Sequence, residues 1–158
     1  MAEKKQERKF KLPRWEELPD VDLYLEQVLS LINRSMAGLL AGRRRSVLTR
    51  TMVNNYVRQK IIPAPVNKKY DKRAVAALFL ISYLKSVYSI GDIARLIALA
   101  MGRDDMLQAY NKFCDYTEEA VEQTFARAED EEDMDYLMKM VAQSFAGQLF
   151  ALKVHLHK

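Results

Sequence analysis

Asn54, Asn55 and Arg58, close together in one short stretch, carry the groups that tell base pairs apart at a groove edge. A carboxamide sets a donor beside an acceptor and can bond adenine twice; a guanidinium can do the same to guanine. Arg50 and Thr51 share the polar side of this stretch, while Met52, Val53, Tyr56 and Val57 fall where a helix would turn them inward. Cations surround it, with Arg43, Arg44 and Arg45 before and Lys60, Lys68 and Lys69 after. From Arg43 to Arg73, ten basic residues stand against Asp71 alone. Lysine and arginine meet phosphates and make binding salt-dependent, whereas base-edge contacts carry the sequence information. The chemistry expected is recognition of double-stranded DNA. Arg50, Thr51, Asn54, Asn55 and Arg58 are the base-reading candidates, and Arg43, Arg44, Arg45, Lys60, Lys68 and Lys69 the phosphate contacts.

Positioning these groups requires a short helix, and Thr49 is a suitable N-cap for one over Arg50–Gln59. Ile61-Ile62-Pro63-Ala64-Pro65 stops it, since each proline lacks an N–H and forces the preceding residue toward extended backbone. A tight turn or two-stranded ribbon is expected from there to Tyr70. Asp71 then caps a helix running through Ala74 to Val87, with Tyr70 and Val75 as a hydrophobic staple. Ser89 caps the next, with Asp92 at its third position and Ile93, Leu96, Ile97 and Ala100 inward.

Upstream, Phe10, Leu12, Trp15 and Leu18, punctuated by Pro13 and Pro19, suit an extended arm tacked to the body. Asp20 is placed to cap a helix in which Val21, Leu25, Val28, Ile32, Met36 and Leu39 form one face and Gly42 the stop. Downstream of Asp104 the pattern is helical, with a stripe of Met106, Tyr110, Phe113, Val121 and Phe125 and a restart at Thr117. The acidic run Glu129 to Asp135 suits the start of a last helix, where carboxylates favour the dipole. In that helix Met134, Met138, Val141, Phe145, Leu149, Leu152 and Leu156 recur at steps of three and four, a stripe that wants a partner.

The 158 residues, 49% hydrophobic with 5 Gly and 4 Pro, fit one all-α unit with a helical extension. The expected division is a basic arm and tether over 1–19, a helix-turn-helix-like unit over 20–101 and a dimerising helical region over 102–158. The net charge of +4 hides its distribution: the stretch from Arg43 to Arg73 is strongly positive, and Ala74 to Lys158 is net acidic. No internal repeat or apolar run of membrane-spanning length is present, and the basic N-terminus lacks the apolar stretch of a secretory signal. A single cysteine excludes an internal disulfide, so a cytoplasmic setting is expected.

Other chemistries find little support. His155 and His157 face different ways on a helix, and no further Cys or His completes a zinc site. Cys114 reads as a small buried hydrophobe. The acidic run lacks the spacing and interior glycine of a calcium loop, and Gly38 and Gly42 lack those of a phosphate loop. No cofactor, metal or catalytic pair is expected.

The order of a capped helix, a Pro-punctuated turn and two further capped helices resembles the DNA-binding half of MerR-type winged helix-turn-helix regulators. The stretches that carry this are Asn54 to Pro65, Tyr70-Asp71 and Ser89 to Ile93. The segment from Ala64 to Tyr70 is shorter than a MerR wing and lacks its Gly-Tyr-Arg sequence, and Asn54 stands where that family has arginine. The wing is therefore expected to be minimal or absent. A closer resemblance, over Leu12 to Leu99, is to the bacterial domain of unknown function 1836. It is carried by Leu12-Pro13-Arg14-Trp15, Leu18-Pro19, Met52 to Val57 and Pro63-Ala64-Pro65-Val66. The resemblances imply a transcriptional regulator that reads operator DNA, and the MerR one a homodimer joined through its C-terminal helix; the apolar spacing there offers Met134, Met138, Val141, Phe145 and Leu149 as the interface, and the Met and aromatic stripes leave room for a small-molecule effector. The alternative is a helical protein-interaction module whose basic centre only aids solubility.

Overall fold

The computed structural model describes residues 10–37, 47–101, 105–127 and 133–156. Among them the chain is mostly helical, with six helices and one two-stranded antiparallel sheet. A 3-10 turn, Trp15–Glu17, precedes β1 (Leu23–Tyr24) and α1 (Leu25–Met36). Then come α2 (Arg50–Arg58), β2 (Lys69–Tyr70), α3 (Lys72–Leu84), α4 (Ile90–Met101), α5 (Met106–Arg127) and α6 (Asp133–Ala151), which ends in a π-helical turn over Leu152–Leu156.

The core is built around α3, which buries Ala74 through Phe79, Ile81 and Ser82; a helix apolar on nearly every side has to be central. Its start is as the sequence predicts. Asp71 Oδ1 accepts a hydrogen bond from the Ala74 amide at 2.9 Å, and Tyr70 and Val75 are both buried. Ser82 satisfies its hydroxyl by donating to the Leu78 carbonyl at 2.7 Å. Val28, Ile32 and Met36 of α1, Val53 and Tyr56 of α2, and Ile93 and Ile97 of α4 share this core. Met106, Tyr110 and Cys114 of α5 join it too, so the core crosses the boundary expected at residue 102. Burial pushes the Cys114 thiol up to about 11, as suits a small hydrophobe.

The first helix begins later than its apolar spacing predicts. Asp20 does not cap it but accepts a hydrogen bond from Lys72 Nζ at 2.7 Å, and Val21 is exposed. Leu23 and Tyr24 instead pair with Tyr70 and Lys69, which places Leu23 in the core and leaves α1 to start at Leu25. The ribbon expected before Tyr70 exists, in a fuller form. Val66 and Lys69 exchange two 3.0 Å backbone bonds around Asn67 and Lys68, and Lys69–Tyr70 continues into β2. Leu39 and the stop at Gly42 lie outside the described residues.

The Leu-Pro-Arg-Trp arm is bonded to α5 along its whole length. Glu118 accepts from the Leu12 amide at 2.7 Å and from both Arg14 guanidinium nitrogens at 2.8 and 2.7 Å. Asn111 Oδ1 accepts from the Trp15 amide at 2.8 Å, and the Tyr110 hydroxyl donates to the Pro13 carbonyl at 2.9 Å. Trp15 meets the Tyr110 ring edge to face at 6.2 Å. The Arg14 bonds hold the Glu118 carboxyl below its ordinary range.

In its second half α5 departs from expectation. There is no restart at Thr117, whose hydroxyl bonds back to the Phe113 carbonyl at 2.7 Å, and Phe125 is exposed rather than inward. α6 is held by the Tyr136 hydroxyl, which donates to the Thr124 carbonyl, and by Gln148 Nε2, 2.6 Å from the Val87 carbonyl. No described helix is long and apolar enough to cross a membrane.

Candidate nucleic-acid interface

α2 forms because its start, its inner side and its end are each fixed by separate interactions. At the start, Thr49 Oγ1 accepts from the Met52 amide at 3.3 Å. The chain entering it is clamped from two sides. Asn33 of α1 donates to the Leu48 carbonyl at 2.9 Å and accepts from the Leu48 amide at 3.0 Å. Lys85 Nζ, just past α3, donates to the Val47 carbonyl and lies 3.5 Å from Met52 Sδ. On the inner side, Val53 and Tyr56 are buried and Met52 and Val57 half-buried, as their spacing predicts.

At the end, the Ile61 amide bonds the Tyr56 carbonyl at 2.9 Å and the Lys60 amide the Val57 carbonyl at 3.0 Å, a Schellman closure. Its left-handed residue is Lys60, with φ of 58°, where glycine is the usual choice. The hairpin after it shows the same feature, with Asn67 at φ 51° and Lys68 at φ 63°. A side chain in this region costs roughly 1 kcal/mol. Two exposed lysines therefore occupy positions that glycine would fill with less strain.

Thr51, Asn54 and Arg58 lie on one row of the helix, all exposed and opposite Val53 and Tyr56. Asn55 is half-buried on the flank of that row. Arg50 is on the other flank, paired with Glu26 of α1. Both side chains are exposed, and such pairs contribute little, so Arg50 is easily released to another anion. Lys69 rests over the Tyr24 ring, 5.0 Å from its centre, while Lys68 is exposed at the hairpin tip. Arg43, Arg44 and Arg45 lie outside the described residues.

Sequence reasoning missed three residues that shape this surface. Asn33 and Lys85 hold the entry to α2, and Glu26 occupies Arg50. Asn33 stands beside the apolar stripe of α1, but nothing in sequence ties it to Leu48 fifteen positions on. Lys85 shows a polar group ending an apolar run, without saying that its amine turns back into the fold.

On the C-terminal side, a groove of about 370 Å³ lies between α5 and α6, against Thr124, Tyr136, Met140, Gln143 and Ser144. The expected interface residues Met134, Met138, Val141, Phe145 and Leu149 do not line it and are exposed.

No curated protein and no solved structure matches the chain. A family model described as a domain of unknown function (DUF1836) matches residues 13–113. That span runs from the arm through α4 into the part of α5 that carries Tyr110 and Asn111, so it takes in both sides of much of the tether. With most of its length matched, the chain belongs to the DUF1836 family.

Proposed function

We propose that this protein is a DNA-binding transcriptional regulator that acts in the cytoplasm as a homodimer and inserts α2 into the major groove of operator DNA. The observation that carries this reading is the Thr51-Asn54-Arg58 row. It is exposed on a helix whose opposite side and both ends are locked, with Lys60 on its C-terminal cap. A locked helix meets bases without ordering cost, and the groove is wide enough to take it. In this reading Asn54 and Arg58 read bases, with Thr51, Asn55 and Arg50 at the margins. Lys60 and Lys68, and the arginine triplet at 43–45, meet phosphates, and Lys69 contributes from its place on Tyr24. The MerR resemblance supports the same use of the helix, with the Val66–Lys69 turn as a minimal wing.

The experiment is a titration of the full chain against genomic fragments and random duplex at several salt concentrations. Binding to a subset of fragments at least tenfold tighter than to random DNA, weakening steeply with salt, is expected. Equal affinity for every fragment would contradict it. The exposed stripe on α6 favours a second reading, a protein-interaction module. That reading requires Asn55→Ala and Arg58→Ala to leave function unchanged, while Val141→Asp or Phe145→Asp abolishes it.

A further inference from the structure

One carboxylate sits against the reading helix itself. Glu26 is the only acidic residue in α1 or α2, and its side chain is paired with Arg50. Asp71, the one acid between Arg43 and Arg73, is engaged at the start of α3, where it accepts from the Ala74 amide. Arg58, Lys60, Lys68 and Lys69 form no ion pair among the described residues, so Arg50 is the exception in its neighbourhood. The pair is not what holds α2 in place. The helix is fixed by the Thr49 cap, the Asn33 clamp on Leu48 and the burial of Val53 and Tyr56. Both members of the pair are open to solvent, Arg50 at 61% and Glu26 at 69% exposure, and such a pair adds little to stability. On a surface that meets a polyanion, its carboxylate is a fixed negative charge on a group that a phosphate would otherwise take.

We propose that Glu26 is a built-in competitor for Arg50: it holds the guanidinium in the free protein and yields it to a backbone phosphate when duplex DNA is bound. The inference rests on the DNA reading of α2, and it needs only that duplex is bound, not that one sequence is preferred. Carboxylate and phosphate oxygens are both charged acceptors for a guanidinium, so the exchange breaks one charge-assisted contact and makes another. The affinity that Arg50 adds is thereby reduced. The exchange also shows in salt. A cation that neutralises a phosphate releases about one counterion from the duplex. When that cation comes off Glu26, the freed carboxylate collects a counterion of its own, and the two largely cancel. Arg50 therefore contributes little to the salt dependence of the complex for as long as Glu26 is present. Because phosphates carry no sequence information, the effect falls equally on preferred and random duplex. Attraction through charge alone is held weak, and the base contacts of Asn54 and Arg58 decide a larger share of the binding.

The test is a titration of wild type, Glu26→Gln, Arg50→Gln and the double variant, each as the full chain, against random duplex and a preferred genomic fragment. It is run at several salt concentrations, with circular dichroism as the check on folding. Glu26→Gln keeps the wild-type helicity, because residue 26 is exposed and glutamine preserves its shape. It binds both duplexes about threefold to fivefold more tightly, the usual effect of one exposed ion pair. Its salt slope is steeper by about one phosphate. Removing Arg50 removes the gain: Arg50→Gln and the double variant differ by less than about twofold in affinity and share one salt slope. A Glu26→Gln protein with wild-type affinity and slope overturns the proposal and leaves the DNA reading standing. A gain as large without Arg50 as with it also overturns the proposal, since Glu26 then acts as a bare repelling charge. Failure of all four proteins to bind either duplex overturns both readings. Equal binding to the two duplexes, with the Arg50-dependent gain intact, refutes only sequence-specific reading and supports the competitor.

Discussion

α2 and α6 present different chemistry to solvent. α2 buries Val53 and Tyr56 and presents Thr51, Asn54 and Arg58, whereas α6 buries Tyr136 and presents Met138, Val141 and Phe145. The first arrangement is complete within one chain, and what it offers is hydrogen bonds and charge. The second leaves apolar area in water. The difference lies in what each exposed face offers: hydrogen bonds and charge at α2, apolar area at α6.

The same substitution on the two helices gives the largest expected contrast. Val53→Asp places an unpaired carboxylate in the core and destabilises the fold by more than about 4 kcal/mol, enough to unfold a domain of ordinary stability. Val141→Asp leaves single-chain stability within about 0.5 kcal/mol, because its site is on the surface. Urea unfolding of both, at concentrations where the wild type is monomeric, checks the pair. Comparable losses would mean that the outward face of α6 is packed against its own chain.

Next in size is Asn33→Ala, expected to cost about 2 kcal/mol because the Leu48 amide and carbonyl lose their partners where Leu48 is buried. If α2 is a reading surface held by this clamp, DNA affinity falls more than global stability does. A parallel measurement of both quantities separates the two.

A smaller effect concerns acid. The Arg14 side chain, and then the Leu12 amide, hold Glu118 below its ordinary range, and the Arg14 amide does the same for Glu17. A carboxylate with a depressed folded pKa contributes stability that is present above the ordinary glutamate range near pH ~4.3. That contribution is lost as pH falls through the folded value. Trp15, the sole tryptophan, sits on this tether and reports its release by fluorescence. Glu118→Gln should flatten the acid limb of that signal.

The smallest is Lys60→Gly. Relieving the left-handed strain should stabilise the fold by about 1 kcal/mol while removing a cation from the cap of α2. Thermal unfolding is expected to rise as DNA affinity falls, with a salt slope smaller by about one phosphate. A stabilised variant with unchanged affinity would take Lys60 off the interface.

Local signals in the sequence were sufficient for the starts of α2, α3 and α4, but α3 ends at Leu84 rather than Val87, and Ala100 of α4 is exposed rather than inward. Thr49, Asp71 and Ser89 cap as their types suggest, and the inward set of α2 follows from helical spacing alone. What sequence could not supply were partners far along the chain. Asp20 looks like a cap until Lys72 is seen beside it, and Leu23 looks helical until Tyr70 pairs with it. The arm is recognisable as a tether, but its anchors on α5 lie about a hundred positions away. For the candidate interface, spacing identified the outward row, while the pairing of Arg50 with Glu26 and the left-handed lysines required backbone geometry.

The central claim is that the outward row of α2 reads bases. The most direct test takes the tightest-binding duplex and compares wild type, Asn54→Ala and Arg58→Ala across all single base-pair changes in it. The account predicts that each variant loses about 1 to 3 kcal/mol on the original duplex and ceases to discriminate at one position, an A·T pair for Asn54 and a G·C pair for Arg58. Discrimination left intact at every position in both variants would contradict it.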